Sequence, residues 1–118
     1  MFISSAGGFL SDSQQPFDAG NPLGDYTIRK FPSSTHFANL TYAHEHYDHT
    51  AVDAYPQVLL PLEHLREMVI EGEIGGLTSV VSSMGYQPDV SRLLGETIPA
   101  ILKIALKEQA DAALLVPS

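Results

Sequence analysis

From Val58 onward the chain alternates between runs that read as helix and runs that read as strand, and this alternation constrains the fold more than any other feature. Pro61 suits the first turn of a helix, where its missing N–H would have had no intrahelical partner, and Glu63 and Glu67 follow it. Leu62, Leu65 and Val69, with Met68 beside them, make one apolar face at i, i+3 and i+7. Gly72, then Gly75 and Gly76, stop this helix. Leu77 to Val81 reads as a strand ending near Met84 and Gly85. Asp89 is placed to cap a second helix, with an apolar face of Val90, Leu93, Leu94, Ile98, Ile101, Leu102 and Ala105. Pro99 sits inside that pattern and is expected to kink or divide the helix. Gln109 and Ala110 close it, and Ala112 to Val116 read as a final strand of the buried type.

The first half is less regular. A short apolar run from Phe2 leads into Gly7-Gly8 and reads as a strand ending in a tight turn. Residues 11–57 are rich in Ser, Asp, Gly, Pro and Asn, with only brief apolar stretches. A segment of that length without periodicity is uncommon inside a compact domain and is often functional. The order strand, long loop, helix, strand, helix, strand implies an α/β fold: a small parallel sheet with right-handed crossovers, in one domain over residues 1–118.

Composition removes several function classes. A formal charge of −8 repels phosphate backbones, so no nucleic-acid partner is expected. No apolar run reaches membrane-spanning length, so no membrane association is expected. The N-terminus lacks the basic stretch of a signal peptide, so a cytoplasmic location is expected. There is no cysteine, which leaves these 118 residues without a thiolate nucleophile, a disulfide or a sulfur ligand for metal.

Site chemistry is dense in one place only. His44-Glu45-His46-Tyr47-Asp48-His49 holds three imidazoles and two carboxylates in six residues. Read alone, it matches H-x-H-x-D-H, the metal-binding signature of the metallo-β-lactamase superfamily, with His44, His46, Asp48 and His49 as the ligand set. The flanks lack that superfamily's context: no β-rich stretch precedes the run, and no histidine follows His64. Two other readings stay open. One is a polar loop that hydrogen-bonds to itself and to backbone; the other is a substrate-binding or acid–base role. His64 reads as a helix-surface residue and His36 as a solvated loop residue. Gly7 and Gly8, after the first strand, are candidate substrate-binding residues because a glycine pair lets backbone amides approach an anion.

Taken in order, several segments resemble the selenoprotein B component of the glycine, sarcosine, betaine and D-proline reductases, with the D-proline reductase form the most similar in organisation. They are Ala6-Gly7-Gly8 after the first strand, Pro16-Phe17-Asp18, and an H-x-x-Y-D element on His44, Tyr47 and Asp48. Leu60-Pro61-Leu62 with Leu65 and Glu67, Glu71-Gly72-Glu73-Ile74-Gly75 and Met84-Gly85 follow. Glu96-Thr97 with Pro99, and Ala110-Asp111-Ala112, complete the set. His46 and His49 stand outside the shared element.

The resemblance implies an oxidoreductase component that reductively cleaves a C–N bond in a small amino-acid or betaine substrate. In that family the last strand runs into a selenocysteine-x-x-cysteine motif. The selenolate attacks the carbon beside the amine, and the nearby thiol helps release product. Here a selenocysteine or cysteine of that motif is expected just beyond Ser118, so the chain is expected to be the N-terminal part of a longer subunit, cut at an in-frame UGA codon or a cysteine homologue cut short. The alternatives are a naturally short metal-binding or hydrolytic protein that uses His44, His46, Asp48 and His49, and a noncatalytic domain that binds a ligand or partner through the long loop. The resemblance implies no cofactor in this chain, a pyruvoyl group on a partner subunit, and other reductase subunits as partners. It marks the positions of His44, Tyr47 and Asp48. Their residue types suggest substrate orientation or proton transfer for His44 and Asp48, and hydrogen-bond donation for Tyr47.

Overall fold

The computed structural model describes residues 1–43 and 50–118. The chain forms β1 (Phe2–Ser4), β2 (Gly8–Leu10), β3 (Arg29–Phe31), β4 (Leu40–Tyr42), α1 (Thr50–Ala54), α2 (Leu62–Ile70), β5 (Val80–Ser82), α3 (Val90–Arg92), α4 (Ile98–Lys107) and β6 (Leu114–Val116). Four strands make one sheet in the order β3-β5-β1-β6, and β2 pairs with β4 in a second, two-stranded sheet. β1 runs parallel to both β5 and β6, as the alternation of elements implies. The fold is therefore the expected α/β class, with a mostly parallel sheet.

Three features of the first half depart from the sequence reading, and in the second half the final strand, expected to be of the buried type, leaves Leu114 and Leu115 exposed because it stands at the sheet edge. The opening run is two strands, because the chain turns at Gly7 and Gly8 starts β2. The segment 11–57 carries structure of its own: β3, β4, α1, and short 3-10 turns at Phe37–Asn39 and Pro56–Val58. β3 adds to the sheet antiparallel to β5, so the sheet is not wholly parallel.

These irregular residues are held by long-range hydrogen bonds, which is why no local periodicity marks them. Arg29 donates to the carbonyls of Gln15 and Pro16 and lies 4.2 Å over the Phe17 ring. Arg66 of α2 donates to the carbonyls of Ser33 and Thr35. The Asp89 amide donates to the Tyr26 hydroxyl, and the Thr97 hydroxyl donates to the Tyr26 carbonyl.

The main core joins Phe2, Phe31, Leu40, Leu60, Leu62 and Val80, so it lies between one sheet face and the start of α2. Phe2 and Val80 stand opposite each other in register. Full burial of each such side chain contributes about 1.5–3 kcal/mol. A smaller cluster joins Phe9, Phe17 and Met84, with Ala19 and Ala43 packed against it.

The helix ends follow their sequence signals. Gly72 takes φ +77° beyond α2, a conformation that costs a side-chain-bearing residue strain. Asp89 caps α3, its Oδ1 accepting from the amides of Ser91 and Arg92. Pro99 divides the second helix without breaking it. Its nitrogen has no hydrogen to donate, and the five residues Leu93–Thr97 ahead of it form a π-helical turn closed by the Ile98 amide on the Leu93 carbonyl. Beyond Lys107, Gln109 takes φ 53° and the Ala110 amide bonds back to the Ala105 carbonyl, which ends α4 where expected.

Candidate functional site

The carboxyl ends of the three parallel strands meet at one level. Register places Ser4 beside Ser82 on one flank and beside Val116 on the other. From β1 the chain crosses to β5 on one side, and from β5 it crosses back to β6 on the far side of β1. The direction of winding therefore reverses between β1 and β6, and in open α/β sheets the crevice at such a reversal is where ligands bind. Ser5 and Ser118 close this point: the Ser5 amide donates to the Val116 carbonyl at 3.3 Å, and the Ser118 amide donates to Ser5 Oγ at 3.0 Å.

The turn after β1 is built from small residues. Ala6 is fully buried, with its amide on Ser4 Oγ at 3.2 Å. Gly7 takes φ 62°. Its amide donates to the Ser83 carbonyl at 2.9 Å, and its carbonyl accepts from the Ala43 amide at 3.0 Å. Gly7 thus ties the end of β5 to the end of β4, and its N–H is already engaged. Gly8 sits opposite Tyr42. A methyl group there would meet the Tyr42 ring, Leu60 and Ser82 Oγ at ordinary contact distances of 3.5–3.7 Å. Ser82 Oγ is fully buried and finds no hydrogen-bond partner among the described residues.

His44, Tyr47 and Asp48, the candidate catalytic residues, and His46 and His49 of the alternative metal set all lie outside the described residues. Their described neighbours are Ala43, tied to Gly7, and Thr50, which opens α1. A cleft of 330 Å³ is lined by Phe37, Leu40, Thr41 and Tyr42, which precede residues 44–49 in the chain, and by Val52, Asp53 and Pro56, which follow them. Among the described residues no group of three His, Asp or Glu side chains is gathered as a metal would need. His36 is exposed. His64 lies exposed on α2, with Nε2 3.2 Å from the Tyr55 hydroxyl and Nδ1 3.5 Å from Glu67.

Sequence reading missed the serines. Ser4, Ser5, Ser82 and Ser83 lack the density of the histidine run, and only strand register gathers them. The signal available was small polar residues at the ends of otherwise apolar strands.

Residues 18–116 match the sequence model for glycine/sarcosine/betaine reductase selenoprotein B. This chain belongs to that family. The match runs from the residue after Phe17 through β6 and includes the His44–His49 segment, while Gly7 and Gly8 precede it. The D-proline reductase subunit gamma of Acetoanaerobium sticklandii is 28% identical over 96 residues, which are 80% of this chain and 40% of that subunit. The chain thus spans about two-fifths of the length of the curated relative it matches. No solved structure matches it. Among the described residues no helix is long and apolar enough to cross a membrane.

Proposed function

We propose that this chain is the N-terminal part of a B-type subunit of an amino-acid or betaine reductase, and that it forms one wall of a site for reductive C–N bond cleavage. The observation that carries this reading is the family match running through β6, taken with the position of that strand's carboxyl end at the winding reversal beside Ser5. A residue that follows Ser118 by a short distance would emerge at that crevice. A selenocysteine there would supply a nucleophile ionised at neutral pH, as activated cysteines are.

The residues of this chain then hold and shape the substrate. The β1 turn, Gly7 and Gly8 included, is built of small residues and brings the backbone to the strand ends. Ser82 brings a buried hydroxyl next to that turn. His44 and Asp48 orient substrate or move a proton, and Tyr47 donates a hydrogen bond. The substrate is a small amine in the class of D-proline, glycine or betaine. A partner subunit bearing a pyruvoyl group and other reductase subunits complete the complex, in the cytoplasm.

Two measurements test this. Sequencing the gene beyond the Ser118 codon is expected to find UGA followed by continued coding sequence with a Cys codon three positions on. A UAA or UAG stop, or an immediate loss of frame, would overturn the truncation. The 118-residue chain alone is expected to show no turnover of D-proline or glycine with a dithiol reductant, and measurable turnover would refute the assignment of the nucleophile to residues outside it.

A further inference from the structure

The last third of the chain keeps apolar surface that a finished α/β layer would cover. Leu94, Ile98, Leu102 and Leu106 recur every four residues and form one stripe along the outside of the π turn and α4, with exposures of 60%, 36%, 54% and 79%. No residue of α4 is fully buried, although most of its side chains are apolar. A helix apolar around most of its circumference is ordinarily enclosed.

β6 repeats the pattern. Its Leu114 and Leu115 are 45% and 68% exposed, whereas every residue of β5, which has a neighbour on each side, is buried. Within the ladder, the Leu114 amide bonds to the Met1 carbonyl and the Val116 carbonyl accepts from Ser5. The peptide groups of a strand alternate in direction, so those of Leu115 face away from β1, along the free edge. The sheet's other edge strand, β3, carries Arg29 and Lys30, the charged kind of edge that resists further pairing. β6 is Leu-Leu-Val and carries no charge.

We infer that the free edge of β6 and the outer stripe of α4 together form the seat for the part of a full-length reductase subunit that lies outside the matched segment. This rests on the proposed function. The matched residues account for 40% of the D-proline reductase subunit gamma, so a family member of that length carries ample further chain. The occupant places an apolar strand against the Leu115 edge and an apolar helix face against Leu94, Ile98, Leu102 and Leu106. It thereby extends the sheet on the side of the winding reversal.

The test co-expresses this chain with the part of the Acetoanaerobium sticklandii D-proline reductase subunit gamma outside the matched segment. A one-to-one complex is expected, with amide exchange at Leu115 slowed at least tenfold. Leu102→Glu with Leu106→Glu is expected to weaken that complex at least tenfold and to leave the fold of the chain intact, since both side chains are exposed. A complex indifferent to the two glutamates, with exchange at Leu115 unchanged, overturns the inference and leaves the reductase reading standing. A stable monomer that captures nothing, or a homodimer dissolved by the same glutamates, also overturns it. The gene sequence beyond Ser118 tests the reading itself, independently of all these results.

Discussion

Glu108, at the end of α4, reaches back to Ser79 just ahead of β5, accepting from both its amide and its hydroxyl at 2.9 Å. Lys30 of β3 completes the cluster with a 2.9 Å ion pair to the same carboxylate. One side chain therefore joins the last helix to two strands. It is also a carboxylate at a helix C-terminus, where the helix dipole is unfavourable to negative charge, so its contacts outside the helix must outweigh that effect.

Those contacts predict a pH dependence. The Ser79 amide first, then the Lys30 ammonium, hold the Glu108 carboxyl down to about 2 from an ordinary 4.5. A depressed carboxylate contributes stability that is full above the ordinary value and is lost as pH falls toward the folded one. Glu108→Gln is expected to cost on the order of 1 kcal/mol at pH 7, after allowance for solvent screening. The cost is expected to shrink between about pH 4.5 and 2. Urea unfolding of both proteins at pH 7 and pH 3 measures this, and an equal difference at the two pH values would refute it.

The two glycines after β1 should respond differently. Gly7→Ala forces a side chain into the left-handed region at φ 62° and is expected to cost about 1–2 kcal/mol. Gly8→Ala meets only ordinary contacts and is expected to be neutral or stabilising by about 0.5 kcal/mol. Equal effects of the two in thermal unfolding would be incompatible with a left-handed backbone at Gly7 alone of the pair.

Asp89→Ala removes an oxygen that accepts from two helix amides and is expected to cost about 1 kcal/mol. Asp89→Asn, which keeps a capping oxygen, should recover most of that loss. A loss in Asn as large as in Ala would place the effect in charge rather than capping.

Ser82→Ala is expected to leave stability unchanged or to raise it by about 1 kcal/mol, because the mutation deletes a buried hydroxyl that has no partner among the described residues. Destabilisation by more than about 1 kcal/mol would mean that the hydroxyl is satisfied in solution and contributes to the fold.

Much of the fold was legible because its signals are local. The Pro61 helix start, the Gly72 stop, the Asp89 cap and the disturbance at Pro99 each depend on backbone chemistry within a few residues, and each stands where the sequence places it. The strand limits were less so: the expected 77–81 and 112–116 are Val80–Ser82 and Leu114–Val116, because pairing partners set where a ladder begins. β3 could not be read at all. Arg29-Lys30-Phe31 has no strand periodicity to speak of, and it becomes a strand because Phe31 enters the core and β5 offers an edge.

The histidine run was conspicuous in the sequence, and it lies within the family match but outside the described residues. The serine-lined strand ends were the reverse: inconspicuous as sequence, evident once register set Ser4 beside Ser82. By itself, then, the sequence determined the alternating helices and strands, their caps and the family, since those follow from periodicity, local backbone chemistry and ordered motifs. Only the tertiary structure decided which strands are neighbours, that the winding reverses between β1 and β6, and that the apolar side chains of β6 and α4 stay uncovered. Those are consequences of contacts between residues far apart in the chain, and no local pattern encodes them.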